Sequence, residues 1–442
     1  MRKYIATCMI AAASLASCTQ NEDFTSPQNE QAKHMKFDVA YVGKNTRAAT
    51  GDLTTEGLGA EKLILWCDAY ATTPGSGIWI SDKEPLFLGK NGSSSYWDVY
   101  QDVGGASGAT VEYPGSSYTT YFTALAPAAE LQASDGTGTQ PKYVMGNQYT
   151  DGITAPDFDS RKLIINGIPV VQEIDNGATK KGIDYLISTA TSTTEEVALT
   201  FKHLLSKLRF AVWTDEPTMN GTTPQTRIEL NQLVVYLPKD VKANYTQTAH
   251  NAVGGSWSWE GFTAPGEDPG ELTAYQDYTL FQESGISPAT AKEVKYFAGP
   301  TNAHLSTNWD DVKLDPTFFI APNGSTNVKI YIDIKYTVRR NIGTAESPVW
   351  SETSESTGDN YSAGHQVVER TKMLVPINDS TYGHGNEAEA EVDANHNEGL
   401  SQFHQGFLET LYICLRADQK LTFSTNFGVD GWVNDPVDIN QK

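Results

Sequence analysis

Residues 197–214, with the sequence VALTFKHLLSKLRFAVWT, decide the fold of this chain. Val197, Leu199 and Phe201 are apolar at odd positions, whereas apolar residues at even positions follow, namely Leu204, Leu208, Phe210 and Val212. Alternation with a period of two predicts a β-strand, and a one-residue change of phase moves all later side chains to the opposite face. We therefore predict a strand that kinks at residues 203–206 and passes from the core of one domain into that of a second. A helix with one apolar face is the alternative, with Phe201, Leu204, Leu205 and Leu208 on that face.

Short apolar runs separated by polar loops continue this pattern on both sides. Residues 63–67 (LILWC) are apolar on both faces, whereas residues 228–236 and 328–338 alternate, with Ile228, Leu230, Val234 and Tyr236 predicted to share a face. Residues 408–415 and 421–427 predict a closing hairpin. Together these runs predict an all-β fold of sandwich type.

Composition limits the number of domains and the class of partner. The 442 residues are long for one domain and comfortable for two. The formal charge of −22 repels phosphate backbones, so nucleic acid is not expected as a partner. Cys67 and Cys414 lie far apart in apolar runs, which predicts small buried hydrophobic residues and not a disulfide or a metal site.

The N-terminus has the features of a cleaved export signal. Arg2 and Lys3 supply positive charge, and an apolar segment of secretory length leads to small residues before Cys18. The sequence Leu15-Ala16-Ser17-Cys18 resembles the bacterial lipobox, in which the cysteine becomes the lipidated first residue of the mature protein. We therefore predict a lipid anchor on Cys18. An ordinary cleavage site with an incidental cysteine is the alternative.

A polar segment and a strand follow the signal. Residues 19–33 contain a single strong apolar residue and predict a flexible tether. Phe37, Val39 and Tyr41 then alternate with polar or small residues, as expected for a half-buried strand. The sequence Asn45-Thr46-Arg47-Ala48 comes directly after it, in a small-residue connection of the kind that proteases reach.

Several of these features together resemble one known family. They are the lipobox, the early strand before Thr46-Arg47-Ala48, the run from Leu199 through His203 to Lys207, and Gly431-Trp432 after two late strands. In this combination and order, the chain is similar to the fimbrillins, the lipoprotein precursors of type V pili of Bacteroidetes.

The resemblance implies a domain architecture and a route of export, processing and assembly. It implies two β-sandwich domains of transthyretin-like topology, with a signal peptide at 1–17, a tether and removable strand at 18–47, and sandwiches at 48–205 and 206–442. It also implies a lipid anchor in the outer membrane, cutting by an arginine-specific protease between Arg47 and Ala48, and strand exchange with other fimbrillin subunits, in a homopolymer or a heteropolymer. The protein would then be a structural subunit of surface fimbriae that serves adhesion, with no enzymatic activity and no cofactor.

Strand exchange needs a strand that leaves and one that replaces it. After a cut behind Arg47, the strand with Phe37, Val39 and Tyr41 can leave and expose an apolar groove, which another chain can fill. The candidate donor is the C-terminus, where the odd-position alternation continues through Phe427, Val429, Val433, Val437 and Ile439, although Pro436 limits ladder bonding. The alternative for residues 421–429 is the last strand of their own domain.

Residue patterns for catalysis or metal binding are not convincing. Residues 384–398 (HGNEAEAEVDANHNE) are acidic with two histidines, but their spacing fits no calcium loop and favours a solvated loop. His203 is expected to be packed or hydrogen-bonded within its strand. A surface lipoprotein that binds glycans through a sandwich domain is the alternative function, although Trp66 and Trp213 lie in predicted core strands and not at a sugar platform.

Overall fold

The computed structural model describes residues 33–41, 62–71, 85–90, 96–102, 107–146, 161–174, 182–216, 219–220, 223–263, 272–283, 291–298, 308–324, 328–351, 366–375, 388–390, 403–417 and 421–428. Strands account for nearly all of the regular structure in these residues, which confirms the all-β prediction. The two helical pieces are a 3-10 turn at Ala128–Glu130 and α1 at Trp309–Val312. The strands are β1 (Lys36–Tyr41), β2 (Leu63–Ala71), β3 (Leu86–Gly89), β4 (Asp98–Tyr100), β5 (Ser107–Ala109), β6 (Tyr118–Ala126), β7 (Gln132–Ala133), β8 (Lys142–Met145), β9 (Leu163–Pro169), β10 (Val171–Ile174), β11 (Leu186–Ser192), β12 (Glu196–His203), β13 (Ser206–Trp213), β14 (Met219–Asn220), β15 (Thr223–Pro224), β16 (Thr226–Pro238), β17 (Lys242–Gln247), β18 (Gly255–Glu260), β19 (Tyr275–Gln282), β20 (Lys292–Glu293), β21 (Lys313–Ile320), β22 (Tyr331–Arg340), β23 (Gln366–Leu374), β24 (Ala388–Ala390), β25 (Leu408–Leu415) and β26 (Leu421–Gly428).

These strands form four larger sheets and one short ribbon. The eight-stranded sheet has the order β1-β12-β11-β6-β2-β3-β4-β5, and the six-stranded sheet has the order β10-β21-β13-β25-β26-β24. A five-stranded sheet is formed by β19-β16-β22-β23 with β20 paired to β16, and another has the order β18-β17-β9-β8-β7. The ribbon pairs β14 with β15.

The segment 197–214 forms two strands with a bend between them, so the strand prediction is confirmed and the helical alternative is wrong. In β12, buried and exposed residues alternate strictly, and Val197, Leu199 and Phe201 enter the core of the eight-stranded sheet. Leu204 is buried in the bend, and β13 continues in the six-stranded sheet with every residue buried. The change of phase in the sequence therefore marks the passage of the chain from one sheet to another.

The eight-stranded sheet contributes to two cores, one on each face. Leu63, Leu65 and Cys67 of β2 pack in a core with β1 and β12, while Ile64 and Trp66 pack in the opposite one. Both faces of this strand are buried, as its continuous apolar run predicts. A third core lies between the six-stranded sheet and the sheet built on β16 and β22.

Two sheets combine strands from both sides of the predicted domain boundary at 205/206. β9 pairs antiparallel with β17, with Pro169 opposite Lys242 and Ile164 opposite Thr246. β10 pairs in the same way with β21, with Val171 opposite Ile320. The division into domains at 48–205 and 206–442 stays a prediction. No local sequence pattern indicated that strands from the two predicted domains pair with each other.

Two local predictions were tested in the second half of the chain. The closing hairpin is confirmed, since β25 and β26 pair antiparallel from Leu408 opposite Gly428 to Leu415 opposite Leu421. The single alternating face from Ile228 to Tyr236 is wrong beyond Leu230. The pairing of β16 with β22 shifts register there, and Leu233, Val235 and Leu237 are the residues that continue into the core. A β-bulge of this kind inserts one residue and moves the later side chains to the other face.

Candidate functional site

The strand β1 is attached to its sheet by partners that are remote in the sequence. It pairs in parallel with β12, with Lys36 opposite Glu196, Phe37 opposite Val197 and Tyr41 opposite Phe201. The amide of Lys36 begins this ladder by donating to the carbonyl of Glu195 at 2.7 Å. Parallel neighbours cannot be joined by a tight turn. β1 is therefore not half of a hairpin, and it pairs with a strand that is far away in the sequence.

The opposite edge of β1 is also hydrogen-bonded. Its partners lie in residues 96–102 and 107–113, here called the closing segment. The amide of Met35 donates to the carbonyl of Val111 at 2.8 Å, and the carbonyl of Phe37 accepts from the amide of Trp97 at 2.9 Å. The carbonyl of Lys33 accepts from the amide of Tyr113 at 2.8 Å. β1 thus fills a slot with two walls, formed by β12 and the closing segment.

The side chains of β1 explain why this slot is filled. Met35, Phe37 and Val39 are buried, with Phe37 completely inaccessible to solvent. The Phe37 ring meets that of Phe122 edge to face, with ring centres 5.5 Å apart. Burial of three such side chains contributes roughly 5 to 9 kcal/mol before the cost of ordering the strand. The hydrophobic contacts are therefore the main attachment of β1.

Charged groups on the outer face of β1 contribute less. Lys33 and Glu195 form an exposed ion pair at 3.0 Å, which in water is worth at most about 1 kcal/mol. The Tyr96 hydroxyl donates to the Glu196 carboxylate at 3.0 Å. This hydrogen bond, followed by the charge of Glu196, raises the pKa of Tyr96, and the Lys36 ammonium lies 5.7 Å from the centre of the Tyr96 ring.

The predicted site residues are only partly within the described residues. Phe37 and Val39 lie together in the core, while for Tyr41 the backbone position in β1 is described. Phe427 lies in β26, opposite Glu409 of β25. The other predicted site residues lie outside the described residues, and they are Cys18, Arg47, Ala48, Val429, Val433, Val437 and Ile439.

Comparisons with known proteins found similar solved structures at low identity and low TM-score. No protein-family model matches the chain, and no curated protein matches it. The chain is similar to a solved candidate cell adhesion protein from Bacteroides uniformis ATCC 8492, at 12% identity and a TM-score of 0.34, over 91% of this chain and 99% of that one. A candidate cell adhesion protein from Bacteroides ovatus ATCC 8483 is similar at 9% identity and a TM-score of 0.33, over 91% of this chain and 99% of that one. A fimbrial protein from the same Bacteroides ovatus strain is similar at 11% identity and a TM-score of 0.19, over 74% of this chain and 47% of that one.

The rest of the described structure offers no metal centre. Among the described residues, no group of three or more His, Cys, Asp and Glu side chains is placed to hold a metal ion. His203 is buried and its Nδ1 lies 2.9 Å from the Asp184 carboxylate, which confirms a hydrogen-bonded residue of the core. Cys67 and Cys414 are both buried, as predicted, and they form no disulfide with each other. Burial raises the pKa of the Cys414 thiol, which keeps it protonated and unreactive.

Tryptophan side chains in the described part of the chain mostly serve the cores. Trp66 and Trp213 are buried, as are Trp97, Trp257 and Trp309. A ring that is buried on both faces has no surface left for stacking on a sugar. Within the described residues, no helix has both the length and the apolar character needed to cross a membrane.

Two features of the site were missed by sequence reasoning. Met35 precedes Phe37 by two residues and was not included in the predicted strand face, although the same odd-position alternation already points to it. The closing segment, with Trp97 and Val111, was not connected with β1 at all. Its loops are rich in Gly and Ser, and nothing local in them indicates a partner strand so far upstream.

Proposed function

We propose that this protein is a structural subunit of surface fimbriae, exported as a lipoprotein, cut after Arg47 and polymerised by strand exchange, and that it serves adhesion. The placement of β1 carries the proposal. This strand, with Met35 directly before it, puts the side chains of Met35, Phe37 and Val39 into a core that is otherwise built from residues beyond position 62.

A cut after Arg47 would separate β1 from the rest of the chain. Residues 42–62 connect β1 to β2, so this cut leaves β1 attached only by its hydrogen bonds and buried side chains. The fragment that leaves would include the tether and the lipidated Cys18. Departure of β1 therefore frees the subunit from its membrane anchor and opens its slot in the same step.

The slot that remains suits strand addition. Empty pockets for Met35, Phe37 and Val39 and two walls of backbone donors and acceptors would be exposed, and a second chain could fill them with an extended segment. An unfilled slot would leave apolar surface and unpaired strand edges in water. Binding of a donor strand in place of β1 is therefore favoured over an empty slot.

The test is the N-terminal residue and the size of the protein recovered from the cell surface. We expect heat-resistant ladders of oligomers whose subunits begin at Ala48. A monomer that begins at lipidated Cys18 and is retained on a polysaccharide gel would contradict the proposal and favour the glycan-binding alternative.

Replacing Cys18 by serine should abolish lipid attachment, because the thiol is the acylated group. We expect no incorporation of a fatty-acid probe into Cys18→Ser, while Cys8→Ser within the signal keeps the label. A single acyl chain binds membranes only marginally, so the wild type should carry more than one. Label that persists on Cys18→Ser would show that Cys18 is not the anchor.

Deleting residues 433–442 should give a folded monomer that polymerises poorly. The pairing of β26 with β25 ends at Gly428, so the deletion keeps the hairpin intact while it removes Val433, Val437 and Ile439 from the candidate donor. Circular dichroism and thermal unfolding would measure the fold, and ladder formation would measure the polymer. Deletion of Gln441 and Lys442 alone is the matched control. An unfolded truncated protein would assign the segment to its own core and contradict the donor role.

A further inference from the structure

Two tyrosine hydroxyls connect the two walls of the β1 slot. The Tyr96 hydroxyl donates to the Glu196 carboxylate of β12 at 3.0 Å. The Tyr113 hydroxyl donates to the carbonyl of Thr193, in the turn before β12, at 2.7 Å. Both tyrosines belong to the closing segment, and both acceptors belong to the opposite wall.

The strand β1 lies between these walls. Its N–H groups alternate in direction, since Lys36 donates to Glu195 on the β12 side and Met35 donates to Val111 on the closing side. The Tyr96 side chain therefore reaches β12 past β1, and Lys36 of β1 lies against the Tyr96 ring. The Tyr113 side chain also spans the two walls, near the start of β1. The backbone amide of Tyr113 donates to the carbonyl of Lys33 at the same place.

We propose that Tyr96 and Tyr113 fasten the closing segment to β12 across β1 and set the rate at which a strand leaves or enters the slot. Neither hydrogen bond uses an atom of β1. Both must open while a strand passes between the walls, and both can form again over the emptied slot, so that the slot keeps two walls and does not become an open sheet edge. The inference rests on the proposed function, because only a removable strand gives this rate a biological role.

Two walls also define the chemistry of the incoming strand. The amide of Met35 donates to the closing segment and the amide of Lys36 donates on the β12 side, so a replacement needs backbone N–H groups in both directions. Proline has no N–H and would lose one of these two bonds at either position. The slot fits a segment with apolar side chains at three alternate positions, matching Met35, Phe37 and Val39, and without proline at the two donor positions. Within the C-terminal candidate, a register that places Pro436 at either donor position would lose that bond.

The experiment uses the full, uncut chain and hydrogen–deuterium exchange measured by mass spectrometry. The variants are Tyr96→Phe, Tyr113→Phe and the double variant, and Tyr296→Phe, an exposed tyrosine remote from the slot, is the matched control. At a pH at which each opening leads to exchange, so that exchange measures the rate of opening, loss of one hydrogen bond of this type should speed exchange of the amides in residues 33–41 by about threefold, and loss of both by about tenfold. The amides of β16 and β22 and those of the Tyr296→Phe variant should exchange at the wild-type rate.

Two results of the exchange experiment would overturn the inference. One is unchanged exchange in residues 33–41 of the folded double variant. The other is an equal increase in all strands, which would mean that the hydroxyls contribute only to global stability. Because the chain is uncut, these results do not depend on export, cleavage or polymerisation, and a wild type that is never cut would overturn the proposed function alone. In polymerising material, the double variant should form ladders about tenfold faster, and an unchanged rate would overturn the rate-setting role.

Discussion

Replacing Arg47 by alanine should block maturation and leave a lipidated monomer with β1 in its slot. The uncut strand competes from within the same chain, where its effective concentration is of the order of mM or higher, so that a donor strand from another subunit cannot displace it efficiently. Met35, Phe37 and Val39 then remain in the core. Size and N-terminal sequence of the exported variant, beside those of the wild type, measure the effect.

A neighbouring basic residue provides the control for the Arg47 prediction. Lys44 lies in the same small-residue connection, and Lys44→Ala should be processed and polymerised as the wild type is. Loss of processing in Lys44→Ala but not in Arg47→Ala would move the cleavage site. Normal polymers from uncut Arg47→Ala would show that β1 is not the strand that has to leave, and would favour the glycan-binding alternative.

Local alternation predicted the side chains of β1 but not its surroundings. Phe37 and Val39 were predicted from a period of two, and their burial follows from that pattern alone. The parallel partner β12 and the closing segment could not be predicted in this way. Trp97 and Val111 contact the backbone of residues 35–37 only in the folded protein, since they are far from these residues in the sequence. Such contacts depend on long-range pairing, which leaves no periodic trace in either segment.

The two changes of phase in the chain show when a bend can be predicted. Before Leu204 the large apolar residues occupy odd positions only, with Ala198, Thr200 and Lys202 between them, so the change at Leu204 is visible and the bend was predicted correctly. In β16, the run from Leu233 to Leu237 is apolar at both parities, so the bulge after Leu230 leaves the pattern unchanged in the sequence. Ambiguity of this kind arises wherever both faces of a strand are largely apolar.

Buried charges are a further part of the fold that the sequence did not reveal. Asp68 lies within the apolar run of β2 and is almost fully buried, 2.6 Å from the Arg161 guanidinium. The ring of His250 lies close to the same carboxylate, at 3.8 Å. These three residues come from distant segments, so an isolated Asp in an apolar strand gave no indication of which residue would neutralise it.

Truncating Phe37 should destabilise the uncut precursor strongly. The side chain is fully buried against Phe122, and removing a buried phenylalanine side chain typically lowers the free energy of unfolding by about 3 to 5 kcal/mol. We expect this loss for Phe37→Ala in chemical denaturation of the uncut chain. Asp38→Asn, on the exposed face of the same strand, should stay within about 0.5 kcal/mol of the wild type.

Phe37→Ala should speed assembly, whereas Arg47→Ala should block it. In the wild type cut after Arg47, a donor strand must displace β1, and Phe37→Ala weakens β1 without changing the walls or the pockets of the slot. Polymerisation of cut Phe37→Ala should therefore be faster than that of cut Asp38→Asn, as measured by the rate of ladder formation. Equal stability of the two uncut variants would mean that Phe37 does not fill the core. Equal rates of assembly despite unequal stability would mean that departure of β1 does not limit strand exchange.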